Sequence, residues 1–406
     1  MKHPGFTEGK KGRKIRHIGN TVLAWCLVIV MVAVIIAVGF RIFTALGYRS
    51  LKNNTTSEGP QITLDEESSE EMQEFSESEE RETEEKVPET EEKEVASESE
   101  SVEEPEEPVI EWKSDWVRYN GKIYDYNDEI LTFLFLGIDK KGTVEKSKDL
   151  VSGGQSDAIF LAVLNPDTKK ISLIGVNRDT MVEIIMPGIG PGGETLTATA
   201  EIAVQHGFGD GLEYSCELTR NAVSKLFYNL PIHGYVSFNM GGVAALNDAL
   251  GGVQLTVLED MTQVNPSWTK GAEVTLNGTD AYDYIHYRDL LVFESARNRL
   301  ARQKQYLSCM ADQALAGTKQ DLTLPLTLYQ TFKPYIVTDL SADEITYLAS
   351  VIAGYGFDSD AIYTLEGTTV RGEKFEEFYP DKTALKKLMF RLFYREVDPE
   401  TGEYVR

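Results

Sequence analysis

Cysteine is scarce in this chain, three residues in 406, and no CxxC or Cys/His spacing exists that would hold a metal. Cys26 lies in an apolar run. Cys216 and Cys309 either pair in an oxidising compartment or stay as two buried free thiols. Basic stripes with interleaved aromatics are missing after residue 60, which excludes a nucleic-acid surface. Large apolar side chains are almost missing from residues 53–111, so that stretch has nothing with which to offset chain entropy. Charge is missing from Thr21 to Phe40. No internal repeat is found.

The net charge of −25 is concentrated rather than spread. Residues 61–108 hold about 22 acids and 3 bases, with Pro88, Pro105 and Pro108 among them. This composition predicts a disordered acidic linker over 49–111, extended by self-repulsion and acting as a spacer. Ahead of it, "TVLAWCLVIVMVAVIIAVGF" is long enough to span roughly 30 Å of hydrocarbon. Lys2, Lys10, Lys11, Arg13, Lys14 and Arg16 precede it and favour the cytoplasmic side, against Arg41, Arg49 and Lys52 behind it. The expectation is a basic cytoplasmic tail over 1–19, an uncleaved signal anchor over 20–48 and an extracytoplasmic domain over 112–398.

Within that domain, "EILTFLFLGID" reads as a buried strand running into a turn. Two strands follow at about 158–164 and 170–176, joined by "NPDTK", whose Asn165-Pro166-Asp167 is strong turn chemistry. The Gly-rich stretches "PGIGPGGE" and "HGFGDG" lack phosphate-loop context and read as mobile loop. From Leu212 an apolar face recurs at Leu218, Ala222, Leu226 and Phe227 until Pro231. "GYVSF" and "VQLTVL" read as strands, and "GGVAALNDALGG", "NGTDAYDYIHYRD" and "SARNRLARQKQYLSCMADQALA" as helices. Ser341 and Glu344 have capping-box spacing. Strands and helices mix without strict alternation.

Three groups carry candidate chemistry. Asp139 ends a buried strand, Asp157 opens the first hairpin strand, and Arg178–Asp179 ends the second. In an antiparallel pair the start of one strand lies beside the end of the next, so Asp157 and Arg178–Asp179 should share one sheet edge. Two carboxylates converging there suit Mg²⁺, which takes one or two carboxylates plus substrate phosphates. Equally, strand-end aspartates cap turns, and neighbouring Arg–Asp pairs are often surface ion pairs of little worth. Arg299, Arg302 and Gln303 lie three and four residues apart on one predicted helix, with Arg288 upstream. They read either as an exposed basic face or, with the acids, as a guanidinium clamp on a pyrophosphate.

Taken in order, "FLFLGID", "GQSDAIFLAVLNPDTKKISLIGVNRDTMVEI", "LPIHGYVSFNMGGVAALNDALGGVQLTV", "LNGTDAYDYIHYR" and "RLARQ" resemble successive blocks of the LytR-CpsA-Psr (LCP) family over residues 130–310. The C-terminal helices to about 395 are similar to the rest of that domain. The resemblance implies a single mixed α/β domain with a central mixed sheet flanked by helices. It implies an apolar pocket for a polyprenyl chain and an Arg-lined mouth for Mg²⁺ and pyrophosphate. The implied activity moves a glycopolymer, such as teichoic acid or capsule, from undecaprenyl pyrophosphate to peptidoglycan on the outer face of a Gram-positive type membrane. By position, Asp139 and Asp157 resemble the metal-binding acids and Arg178 the pyrophosphate-binding arginine. Arg288, Arg299 and Gln303 resemble the rest of the clamp, and Asp179 is the candidate proton acceptor.

The chain departs from the family pattern at Gln155 and His286, where arginines are usual, and at Ala296, where an aspartate is usual. "TLTATAEIAVQHG" replaces a Lys-Ile-Asn block. Two permanent cations are lost, and His286 replaces one only when protonated. An altered transferase and a non-catalytic lipid-binding scaffold or wall regulator are both compatible with these departures.

Overall fold

The computed structural model describes residues 41–62, 113 and 116–405, apart from 290, 291, 294, 322, 353 and 374. The predicted signal anchor over 20–48 lies outside the described residues except for 41–48, and so does most of the acidic segment. Among the described residues no helix is long and apolar enough to cross a membrane.

In chain order the elements are α1 (41–53), β1 (Val117–Tyr119), β2 (Lys122–Tyr126), β3 (Leu131–Ile138), β4 (Ser156–Asn165) and β5 (Lys170–Val176). Next come β6 (Met181–Met186), β7 (Leu196–Glu201), a 3₁₀ turn (Ile202–Phe208), α2 (Glu213–Leu226), β8 (Gly234–Asn239) and α3 (Gly242–Ala249). They are followed by β9 (Val253–Thr256), β10 (Glu273–Leu276), α4 (Gly278–His286), α5 (Ser295–Gln320), α6 (Leu324–Phe332) and β11 (Ile336–Thr338). The chain closes with α7 (Ala342–Ile352), β12 (Gly356–Thr364), β13 (Gly367–Arg371), β14 (Glu376–Pro380), α8 (Lys382–Phe393) and β15 (Tyr394–Val397).

The central sheet has the order β11-β8-β3-β4-β5-β12 and is mixed: β3 runs parallel to β8 and antiparallel to β4. The β4–β5 hairpin forms as the sequence predicts. Asn165 Oδ1 accepts the Asp167 and Thr168 N–H groups, an Asx turn that reverses the chain. β4 is buried along all but its last residue, which is why it reads as a continuous apolar run rather than an alternating one.

One sheet face, with Leu134, Leu136, Ile138, Ile159, Leu161 and Ile174, packs on Val223 and Phe227 of α2 and on Leu385, Met389 and Phe393 of α8. Each fully buried side chain of this kind contributes about 1.5–3 kcal/mol. The other face is covered in two places. Near the start of β3, Leu131, Phe133, Ala162 and Leu164 meet Leu51 of α1 and Leu348 of α7. Near its end, Ala158 and Phe160 meet Leu300 of α5. Between the two patches Phe135, mid-strand in the middle of the sheet, stays 36% exposed.

Two readings of the sequence are corrected here. Residues 202–208 are not loose: Gln205 bonds both backbone groups of Ile185, and His206 Nδ1 lies 3.1 Å from the Gly153 carbonyl. Residues 49–62, placed in the linker, are fixed on the domain. The first five belong to α1, and Thr56, Ser57 and Gln61 bond to the 224–232 region. Cys216 and Cys309 are free, and they belong to different hydrophobic clusters. The capping box forms, with the Ser341 N–H donating to Glu344 Oε2 at 2.7 Å.

Candidate functional site: a carboxylate and guanidinium cluster at one sheet edge

The strand ends that hairpin geometry placed together do meet. Ile138 pairs with Ser156, and Ile159 with Val176, so Asp139, Asp157 and Arg178 emerge at one edge. Arg178 Nη1 donates to Asp157 Oδ1, and Arg178 Nη2 donates to Gln155 Oε1. Arg178 Nε lies 3.3 Å from Asp179 Oδ1. From α5, Arg299 Nη1 donates to Asp157 Oδ2 at 3.0 Å. Arg288 reaches Asp179 Oδ2 at 3.2 Å and Glu376 Oε2 at 2.9 Å, while its Nε donates to Ser295 Oγ at 2.9 Å.

The two carboxylates of the cluster differ in environment. Asp157 sits between two guanidiniums, with His286 Nε2 3.6 Å from Oδ2. Burial pushes Asp179 above the usual carboxylate range; Arg288, Arg178 and Arg299 pull it back in part, and Glu376 adds to the rise. Burial pulls Arg299 down to about 10, against the pull of Asp157, which leaves it charged at neutral pH. His286 stacks on Tyr282 with ring centroids 4.8 Å apart, and desolvation lowers its pKa more than Asp157 raises it. Its environment thus favours the neutral imidazole.

Arg299 Nη2 and Ser156 Oγ are buried without a hydrogen-bond partner, while Arg178 Nε and Asp179 Oδ2 have only the ion-pair contacts above. Arg299 is 3% exposed, and a buried unsatisfied donor on a cation is expensive unless a ligand satisfies it.

The predicted residues divide. Asp157, Arg178, Asp179, Arg288 and Arg299 converge. Gln303 stands behind them, its amide donating to the carbonyls of Asp157 and Ile285 at 3.3 and 3.2 Å. Arg302 does not join the clamp. It turns to the far flank of α5, donating to the carbonyls of Tyr284 and Tyr287 and pairing with Glu259, so it caps the end of α4. Asp139 is exposed at the rim, its Oδ1 accepting the Gln155 N–H at 2.7 Å. Among the described residues no group of three or more His, Cys, Asp or Glu has metal-holding geometry. Of the two acids read as metal ligands, Asp157 shares both oxygens with guanidiniums and Asp139 gives Oδ1 to a backbone N–H.

Glu376 was missed in the sequence. It arrives on the β13–β14 hairpin, which is pinned beside the site by the Phe378 N–H donating to the Asp179 carbonyl at 2.8 Å. No local motif announces a contact that spans 88 residues to Arg288.

A family profile described as LytR_cpsA_psr family matches residues 81–392. The chain belongs to that family. It is 27% identical over 258 residues to the polyisoprenyl-teichoic acid–peptidoglycan teichoic acid transferase TagU of Oceanobacillus iheyensis, covering 62% of this chain and 72% of that protein. It is 30% identical over 181 residues to the TagU of Enterococcus faecalis, covering 44% of this chain and 51% of that protein. The solved structure of protein gbs0355 from Streptococcus agalactiae shares the fold with a TM-score of 0.51 at 20% identity, over 65% of this chain and 86% of that one. The mixed α/β architecture with a central mixed sheet is thus that of the family.

Proposed function

We propose that this family member is a membrane-anchored phosphotransferase that moves a glycopolymer from undecaprenyl pyrophosphate to peptidoglycan. The observation that carries the reading is Arg299 Nη2, a buried guanidinium donor without a partner beside Arg178 and Asp157. A diphosphate oxygen supplies the acceptor it lacks. The names of the TagU relatives point the same way.

Phosphoryl transfer demands positioning and charge neutralisation more than covalent help. Arg178, Arg288 and Arg299 hold the pyrophosphate and stabilise the charge that grows on the departing polyprenyl phosphate. Asp139 and Asp157 would hold Mg²⁺, which when bound adds a further cation on the phosphate oxygens. A peptidoglycan sugar hydroxyl attacks the phosphorus that carries the glycopolymer. The new P–O bond forms as the bond to the bridging oxygen breaks. The hydroxyl proton passes to Asp179, whose raised pKa makes it a better acceptor than an ordinary aspartate. The isoprenoid tail lies over the sheet face left open at Phe135, between the Phe160–Leu300 and Leu131–Leu51 patches.

Full-length protein in nanodiscs, given a polyprenyl-pyrophosphate-linked glycopolymer, peptidoglycan and Mg²⁺, should release polyprenyl phosphate. Arg178→Ala should lower that release by about 10²–10³-fold with the fold intact. Equal turnover in the variant removes Arg178 from the mechanism. A non-catalytic scaffold is the second reading, favoured by Gln155 and His286 at positions where the family carries arginine. Lipid binding without turnover at any pH or metal supports it.

A further inference from the structure

The described part of α1 directly follows the uncharged Thr21–Phe40 run, so where it sits bears on how the domain meets the bilayer. Its second half, from Gly47 on, is fixed to the domain. Leu51 is fully buried against Leu131, Phe133, Leu164 and Leu348. Tyr48 packs its ring 5.2 Å from Tyr347 and donates to Glu129 Oε2. Lys52 lies 3.7 Å from Glu129 and donates to the Asp128 carbonyl. At Gly47 the backbones of α1 and α7 come so close that a Cβ would sit 2.2 Å from the Asp343 carbonyl oxygen. Only glycine permits that approach.

The contact continues past the helix. The Thr56 hydroxyl accepts the Ile232 N–H, Ser57 Oγ donates to the Asn229 carbonyl, and the Gln61 N–H donates to the Tyr228 carbonyl. The acidic segment therefore leaves from the domain surface at residue 62. It returns there at Trp116, which packs with Ile123 and Val397.

The opposite flank of α1 carries Ile42, Phe43 and Leu46, all exposed, together with Arg49. At 100° per residue Ile42, Leu46 and Arg49 share a face, directly behind the uncharged run. Apolar side chains joined to a membrane span, with Arg41 and Arg49 for anionic headgroups, fit the bilayer interface.

We propose that residues 41–62 clamp the domain directly onto its membrane anchor, with Ile42, Phe43 and Leu46 in the lipid interface. The clamp grips the start of β3, whereas the carboxylate and guanidinium cluster lies at its end, about 25 Å along the strand. The anchor thus sets a fixed separation between bilayer and reaction centre. This inference rests on reading residues 21–40 as the membrane span.

The test uses the full chain in vesicles of phosphatidylglycerol and phosphatidylethanolamine. A zero-length carbodiimide should join Lys52 to Glu129, detected by mass spectrometry, and Leu51→Asp should abolish that link. Energy transfer from a dye on the domain to a lipid acceptor should stay unchanged when residues 63–111 are replaced by a 20-residue Gly/Ser segment. It should fall and broaden in Leu51→Asp. Alkaline carbonate extraction separates the two ideas. Release of the protein by carbonate overturns the anchor reading. A carbonate-resistant protein without the Lys52–Glu129 link, or one whose distance to the lipid shrinks with the shortened segment, overturns the clamp.

Discussion

The two ends of the central hairpin are built to different rules. At the start of β3, polar groups find partners within the protein. Thr132 Oγ1 donates to the Pro231 carbonyl, and the Thr132 N–H donates to His233 Nδ1 at 3.1 Å. Burial lowers His233 to about 3, so it accepts as a neutral imidazole. Asn127 and Arg395 both hold Asp167. At the other end, Arg299 Nη2 is buried without a hydrogen bond, and Asp179 is held in a setting that resists its charge. One end satisfies its polar groups within the fold; the other leaves a buried guanidinium donor unsatisfied.

The largest expected break in this contrast is Arg299→Ala. Removing a buried guanidinium leaves Asp157 with Arg178 as its only permanent counter-charge, and the domain should lose about 3 kcal/mol in urea unfolding. Binding of inorganic pyrophosphate, read by calorimetry, should fall with it. Thr132→Ala should cost about 1–2 kcal/mol by the same unfolding measurement and leave pyrophosphate affinity unchanged. Loss of affinity there would mean that the two ends are coupled.

The smallest effect is expected at Glu376→Gln. Removing the carboxylate frees Arg288 from a competing acid, so pyrophosphate should bind a few-fold tighter, on the order of 0.5–1 kcal/mol. The same change removes a contribution that raises Asp179. A base works only when deprotonated, so the acid limb of the rate profile should begin above the ordinary aspartate range and move to lower pH in the variant. Because burial raises Asp179 in the folded state, folding gains from its protonation at low pH and loses that gain as pH rises through the raised value. An acid limb that does not move excludes Asp179 as the proton acceptor.

Much of the fold was legible because β4 and β5 carry their own turn signal. The predicted strand 170–176 is Lys170–Val176, and the one at 158–164 extends to Ser156–Asn165. Hairpin arithmetic alone then placed Asp157 beside Arg178. Arg302 was misplaced because helical spacing groups residues by face without saying which flank meets the strand, and Glu259 draws it away. The glycines of 187–211 read as mobility, yet Gly209 lies where a Cβ would meet Ser215 at 2.3 Å, so some of them mark close packing. Residues 54–62 read as linker because their composition is polar, and those polar groups are what the 228–232 backbone needed.

The Gln303 amide has a consequence for how far the end of α4 can stand from β4. Its two N–H bonds span from the carbonyl at the root of β4 to one near the end of α4, like the jaws of a caliper set to a single gauge. A glutamate there, of the same length, would present oxygens to two carbonyl oxygens and force the jaws apart. The spacing between β4 and the end of α4 is thus set by one side chain whose amide nitrogen is committed to two backbone carbonyls.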